Sequence, residues 1–286
     1  MKSGDLLKQI RDKAFKAFYP NGTGYWGLSV KQVVVLEKTL AVCAKTIEIT
    51  ALENNIIPER YVRNFNTFSQ KDQIKLLRSV VAIVGLGGLG GGVTEILARI
   101  GIGSLILIDG DVFEDTNLNR QVLCTQLSTG TSKAMAAAER VKEINSSVTI
   151  TMHQQFLDEE NALDFLSQAH VIVDCLDSIS TRFLVHDAAK KLKKPLVSSA
   201  VAGASGQLTT IFPEDEGLSL IYEEPDRQSS TGAEKSLGCL PHAVTFLSAM
   251  ECSEVVKILL NRGSLLRNQL LLIDLETNTL EIMHLV

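Results

Sequence analysis

The 286-residue chain is 45% hydrophobic and 21% charged, a balance that supports a sizeable buried core and excludes a disordered polymer. Its net charge of −5 argues against a protein whose main task is gripping a phosphate backbone, and no uncharged apolar run reaches the roughly 18 residues of a membrane span. The five cysteines (Cys43, Cys124, Cys175, Cys239, Cys252) are odd in number and lack C-x-x-C spacing, which speaks against a disulfide framework or a four-cysteine zinc site and fits a reducing cytoplasm.

Residues 1–58 read as a small helical extension. Leu6, Leu7, Ile10, Ala14 and Phe18 fall at helical spacing, with Asp5 and Asp12 among them, which describes an amphipathic helix and not a signal peptide. After the turn cluster Pro20-Asn21-Gly22-Thr23-Gly24, a second helical face of Val33, Val34, Leu36 and Leu40 has Ser29 as its expected N-cap. A third face, Ile47, Ile49 and Leu52, has Thr46 as its expected cap and closes before Pro58. Such a segment could brace a dimer, cover a site or dock a substrate. Two consecutive helices also permit a helix-turn-helix, but the segment lacks the basic charge of a DNA reader.

From about residue 60 strands and helices alternate. Strands are expected at 79–84, 104–108, 148–153, 171–175 and 195–199, and helices after the glycine loop to Arg99 and at 132–145, 161–168 and 182–191. Most of these strands are apolar throughout, the mark of a parallel sheet covered on both faces. A further strand at 207–212, a polar loop at 214–235, a long apolar helix at 243–260 and a closing hairpin (269–274 with 279–284) complete the reading. The expected fold is α/β: a Rossmann-like, mostly parallel sheet with helices on both faces, a closing β-hairpin and the helical extension in front, divided as 1–58 and 59–286.

The first strand of this body ends in Gly85-Leu86-Gly87-Gly88-Leu89-Gly90, a G-x-G-x-x-G loop opening a helix. Gly85 permits the tight turn, Gly87 close approach of phosphate, and Gly90 packing of helix on strand, while the helix amides face the anion. Asp109 ends the next strand about 20 residues on, where a carboxylate can meet ribose hydroxyls. The loop alone leaves NAD and ATP both open. Asp111 through Gln121 then supplies a density of polar side chains that hydride transfer does not use and a triphosphate does. Arg120 offers a bidentate fork, Lys133 a point charge, and Asp177, just past a buried strand, a place for magnesium. Taken singly these are surface charges and a helix cap; together, at consecutive strand ends around one glycine loop, they point to ATP.

The order Arg60-Tyr61-Val62-Arg63-Asn64, Gly85–Gly90, Asp109-Gly110-Asp111, Asn117-Leu118-Asn119-Arg120-Gln121, Lys133 and Asp174-Cys175-Leu176-Asp177 resembles the ThiF/MoeB/HesA family, bacterial relatives of the ubiquitin-activating enzymes. Pro195–Ala200, Gly206–Thr209 and the helix 249–260 continue the match, so the resemblance covers roughly 59–286. It implies a cytoplasmic homodimer that uses ATP and magnesium to adenylate the C-terminal carboxylate of a small ubiquitin-like, Gly-Gly-ended sulfur carrier, with neither nucleic acid nor membrane as partner. A short peptide or small carboxylate is the alternative substrate, and a non-catalytic scaffold the alternative role. By the resemblance, Gly85, Gly87, Gly88, Gly90, Asp109 and Asp111 seat phosphates and ribose; Thr116, Asn117, Asn119 and Arg120 line the nucleotide; Lys133 binds phosphate; Asp177 binds magnesium; and Arg63 enters the neighbouring subunit's site.

Ser178 stands where many relatives have Asn, and the paired C-x-x-C motifs that hold zinc in many relatives are absent, so zinc is not expected. The expected reactive thiol of the family has one counterpart, Cys239, at the brink of the last long helix, where a helix N-terminus could depress its pKa. The plainer reading of Cys239 is a small buried hydrophobe at a loop-helix junction. Cys175 and Cys252 sit in apolar runs and read as core, and His242 reads as structural.

Overall fold

The computed structural model describes residues 3–223, 229 and 232–286. The extension comprises α1 (Ser3–Lys13), β1 (Phe15–Phe18), β2 (Gly24–Leu28), α2 (Val30–Leu40), α3 (Ala44–Glu53) and β3 (Ile56–Pro58), the three strands forming one small sheet in that order. The first helix therefore stops at Lys13 and does not reach Phe18. Phe15-Lys16-Ala17-Phe18 instead pairs antiparallel with Gly24–Leu28 across a turn in which the Asn21 Oδ1 accepts the Thr23 amide at 3.0 Å. A short apolar–polar alternation beside an Asn-Gly turn favours a hairpin over one more helical turn. Ser29 caps α2 as expected, in a reciprocal box with Gln32. Thr46 does not cap α3: the helix begins after Cys43, and its first orphan amide, on Ala44, is taken by the Glu37 carboxylate at 3.0 Å.

The body is an eight-stranded sheet. In chain order it runs α4 (Gln70–Leu77), β4 (Val80–Val84), α5 (Gly88–Ile100), β5 (Ser104–Ile108), α6 (Lys133–Ile144), β6 (Thr149–His153), α7 (Ala162–Leu166), β7 (Val171–Asp174), α8 (Ile179–Leu192), β8 (Leu196–Ala202), β9 (Ser205–Ile211), α9 (Glu234–Leu237), α10 (Pro241–Leu260), β10 (Gln269–Asp274) and β11 (Thr279–His284). The sheet order is β11-β10-β9-β8-β7-β4-β5-β6, parallel from β8 to β6 and antiparallel from β8 to β11. This is the Rossmann-like, mostly parallel architecture with a closing hairpin. Alternate residues of β4 show why the strands are apolar throughout. Val81 and Ile83 pack with α5, α6 and α10 on one face, while Ala82 and Val84 pack with α7 and α8 on the other.

The extension is tied to the body by buried polar contacts. Glu48 is fully buried, with Arg60 Nε at 3.1 Å and the Tyr61 hydroxyl donating to it at 3.0 Å. Asn145 at the end of α6 donates to Tyr61 Oη and to the Ala98 carbonyl, both at 3.0 Å. Lys45 Nζ donates to the Gly103 carbonyl and to the Ser104 and Thr149 hydroxyls, at the amino ends of β5 and β6.

Candidate functional site

The carboxyl ends of β4, β5 and β7 meet at the glycine loop. Gly85 has φ +85°, and a Cβ there would stand 2.8 Å from the Cys175 carbonyl; a Cβ on Gly90 would stand 1.8 Å from the Gly85 carbonyl. Only glycine lets α5 start this close to the strand. Asp109, at the end of β5, accepts the Leu86 amide on one carboxylate oxygen and the Asp111 amide on the other, each at 2.7 Å. It thus ties the loop to β5. Burial pushes its carboxyl up, while those amides and Lys133 pull the other way.

Around this loop opens a cleft of about 900 Å³. Gly85, Gly87, Gly88, Asp109, Asp111, Arg120, Lys133, Asp177 and Ser178 all line it. Lys133 opens α6 and pairs with Asp111 at 3.0 Å. The Arg120 guanidinium donates to the Thr116 carbonyl at 3.1 Å and to Asn119 Oδ1 at 2.9 Å, and meets no carboxylate among the described residues. Asp177 is exposed at the cleft, and among the described residues its carboxylate takes no hydrogen bond. The helix-cap role falls to its neighbour: Ser178 Oγ accepts the Thr181 amide at 3.3 Å. Asp177 is therefore free to meet a ligand.

Five predicted residues do not line the cleft: Gly90 packs behind the loop against the Gly85 carbonyl, and the other four stand elsewhere among the described residues. The chain after β5 curls through a short 3-10 turn, Asp115–Asn117, which turns Asn117 inward so that its Oδ1 accepts the Glu114 amide at 3.1 Å. Asn119 holds Arg120 and donates to the Cys239 carbonyl at 3.2 Å, and Thr116 is exposed beside Glu114; both support the lining residue Arg120 without lining the cleft themselves. Arg63 is exposed on the 3-10 turn Glu59–Asn64, outside its own chain's cleft. Cys239 also lines the cleft. Burial pushes the Cys239 thiol up, against the pull of Arg120, and Sγ lies 3.6 Å from the Val201 carbonyl. Cys239 precedes Leu240, the N-cap of α10, and among the described residues no helix amide donates to its sulfur.

Arg182 and Gln121 are among the cleft residues to which the sequence reading gave no role of their own. Arg182 of α8 is buried, pairs with Asp174 at 3.0 Å and donates to the Ser199 carbonyl at 2.5 Å. The eight residues from Asp174 to Arg182 cross a loop and carry no periodic signal. Gln121 lies against Gly87, and its side-chain oxygen is buried without a hydrogen-bond partner among the described residues. Behind the cleft, Glu251 of α10 is fully buried beside the Cys175 thiol at 3.7 Å; burial pushes its carboxyl up to about 8. Among the described residues no group of three or more His, Cys, Asp or Glu is arranged to hold a metal ion. The lone Asp177 carboxylate fits magnesium only if phosphate oxygens complete the shell.

The ThiF family model matches residues 32–285. The chain belongs to the ThiF family. This ThiF-family chain is 35% identical over 250 residues to "Adenylyltransferase and sulfurtransferase MOCS3" of Culex quinquefasciatus, covering 86% of this chain and 56% of that protein. It is 35% identical over 229 residues to the protein of the same name from Aedes aegypti, covering 79% of this chain and 52% of that one. The chain spans about half the length of the curated relatives it matches. Among solved structures, E. coli MccB with ATP shares the fold at TM-score 0.64 and 20% identity, over 96% of this chain and 95% of that one. The E. coli tRNA N6-threonylcarbamoyladenosine dehydratase TcdA, in complex with ATP, does so at TM-score 0.61 and 22% identity, over 71% of this chain and 94% of that one.

Proposed function

We propose that this ThiF-family chain is an ATP-dependent adenylyltransferase that activates the C-terminal carboxylate of a small ubiquitin-like, Gly-Gly-ended sulfur carrier. The observation that carries the reading is Arg120, a cation with no carboxylate partner among the described residues, lining the same glycine-loop cleft as Asp177. The substrate carboxylate would attack the α-phosphorus of ATP. A new C–O–P linkage forms, the bond from the α-phosphorus to the bridging oxygen breaks, and pyrophosphate leaves with that electron pair. The nucleophile is already an anion, so the chain need supply no base. Its work is to neutralise charge and hold two anions together, with Lys133 and Arg120 on the phosphates, the α5 amides behind the loop and Asp109 keeping the loop in place. Asp177 is the residue to hold magnesium, which would supply further charge neutralisation to the phosphates. Arg63 would act on the cleft of a second copy in a homodimer.

The test is ATP–pyrophosphate exchange with a Gly-Gly-ended carrier. Arg120→Ala and Asp177→Ala should each lower exchange by at least 100-fold while leaving the melting temperature of the free protein unchanged. Undiminished exchange in both would remove the ATP site from this cleft. A peptide substrate is the second reading, because the solved structures that share the fold over 96% of this chain, the extension included, include PaaA and MccB, and one MccB structure holds MccA and AMPCPP. Exchange driven by a free peptide and not by a carrier would select it.

A further inference from the structure

The chain is pinned on both sides of Asp177, although the Asp177 carboxylate itself takes no hydrogen bond among the described residues. Before it, Leu176 has both backbone groups occupied. Its amide donates to Asp174 Oδ1 at 3.1 Å, and its carbonyl accepts from the Arg182 guanidinium. After it, Ser178 is the N-cap of α8, and its carbonyl accepts the Arg182 amide at 3.0 Å. Packing adds a third constraint. A Cβ on Gly85 would meet the Cys175 carbonyl at 2.8 Å and the Leu176 side chain at 3.3 Å, so this turn lies directly on the glycine loop. Leu176 therefore sets the direction of Asp177 relative to the phosphate end of the cleft.

One buried unit holds Leu176. Arg182 Nη1 donates to Asp174 at 3.0 Å and to the Ser199 carbonyl at 2.5 Å, and Nη2 donates to Leu176. The Ser198 hydroxyl donates to the same Asp174 oxygen at 2.6 Å. The guanidinium thus joins the end of β7, the strand β8 and the first turn of α8. Its charge is matched by Asp174 and both terminal nitrogens serve protein acceptors, which sets it apart from Arg120. Arg182 is not a third phosphate cation. Stability alone does not explain it, since well-packed apolar residues often replace a buried ion pair without loss. A planar fork serving three acceptors at fixed angles does what a positioning role requires.

We propose that Arg182 is a positioning residue: acting through Leu176, it aims the Asp177 carboxylate at the metal ion that accompanies ATP. The assignment rests on the adenylation reading above and adds the groups that orient its carboxylate ligand. A lone carboxylate has no second protein ligand to correct its direction, so its aim depends on the turn that carries it. Groups that orient a metal ligand are typically worth 10- to 100-fold in metal affinity.

The experiment titrates manganese, which favours the same oxygen ligands as magnesium, into the full chain saturated with a non-hydrolysable ATP analogue. Bound metal is read by electron paramagnetic resonance, and the affinity for the metal-free analogue by calorimetry. Arg182→Lys keeps a cation beside Asp174 but cannot span the three acceptors. It should raise the manganese concentration at half-saturation roughly 10- to 100-fold while changing the metal-free affinity by less than about 3-fold. Ser198→Ala removes one hydrogen bond to Asp174 and should raise it about 2- to 10-fold, and this variant decides the matter if Arg182→Lys does not fold. Asp177→Ala gives the full loss. Manganese curves that superimpose on the parent's in the folded variants, while Asp177→Ala shifts its own, overturn the proposal and leave the metal at Asp177. Equal losses of metal-free and metal-bound affinity show a purely structural arginine and overturn it as well. A curve that Asp177→Ala leaves unmoved removes the metal from Asp177 and the proposal with it, and an analogue that fails to bind the parent removes ATP from the cleft altogether.

Discussion

Glu48 and Glu251 are both shut off from water, and the chain keeps them in opposite company. Glu48 joins α3 to the body through Arg60 at 3.1 Å and the Tyr61 hydroxyl at 3.0 Å, partners that oppose the upward push of burial on its carboxyl. Glu251 has the Cys175 thiol at 3.7 Å; the Ser199 hydroxyl and the Arg182 cation pull its carboxyl down, but burial, reinforced by the charge of Asp174, outweighs them. At about 8, its carboxyl is a neutral acid at pH 7. Equal burial thus makes one glutamate an ionic tie between two segments and the other an uncharged filler beneath a binding cleft. Direct pairing decides which: Arg60 stands against Glu48, whereas Arg182 is paired with Asp174 and, among the described residues, no cation forms an ion pair with Glu251.

The largest expected effect breaks the tie. Arg60→Ala leaves the Glu48 carboxylate buried without its cation and should cost about 3–5 kcal/mol in urea unfolding. A loss below about 1 kcal/mol would show that the extension is held by its apolar core alone. Glu251→Gln tests the other side through pH. The unfolded chain ionises Glu251 above its ordinary 4.5, whereas the fold keeps it protonated to about 8, so native stability falls as pH rises through that window. The Gln variant lacks this penalty. Its stability relative to the parent should climb by about 1–4 kcal/mol between pH 5 and pH 8 and level off above; parallel stability curves would mean that Glu251 is not the titrating group. Smallest is Ser29→Ala, which removes a neutral cap from α2 and should cost about 1 kcal/mol at every pH. Any pH slope in that variant would show that the extension's stability is not set by Glu48 and Arg60 alone.

Much of the body was legible because its signals are local. Val80–Val84 is apolar on both faces, Gly85–Gly90 joins strand to helix, and Asp109 closes the next strand, each within a short stretch of chain. The cations fell into place for the same reason, since Arg120 and Lys133 follow strand β5 directly. What was hidden depends on contacts distant in sequence. Asn117 looks like any other amide of a polar run until the 3-10 turn buries it. Arg182 reads as a helix-surface charge until β7 and β8 bring Asp174 and the Ser199 carbonyl to it. Phe15–Phe18 carries helical and strand periodicities at once, and the partner strand across the turn settled the choice. The last long helix begins at Pro241, two residues before its expected start at 243, because Pro is well placed in a helix's first turn.

Lys45 reaches Gly103, Ser104 and Thr149 at the amino ends of β5 and β6, whereas the cleft opens at the carboxyl ends of the strands. Five-residue strands set these two places roughly 17 Å apart. The mooring of the extension is thus at the opposite pole of the sheet from the cleft. Strain applied at one pole reaches the other through the strands themselves, so the parallel sheet serves here as a strut between two addresses on one molecule.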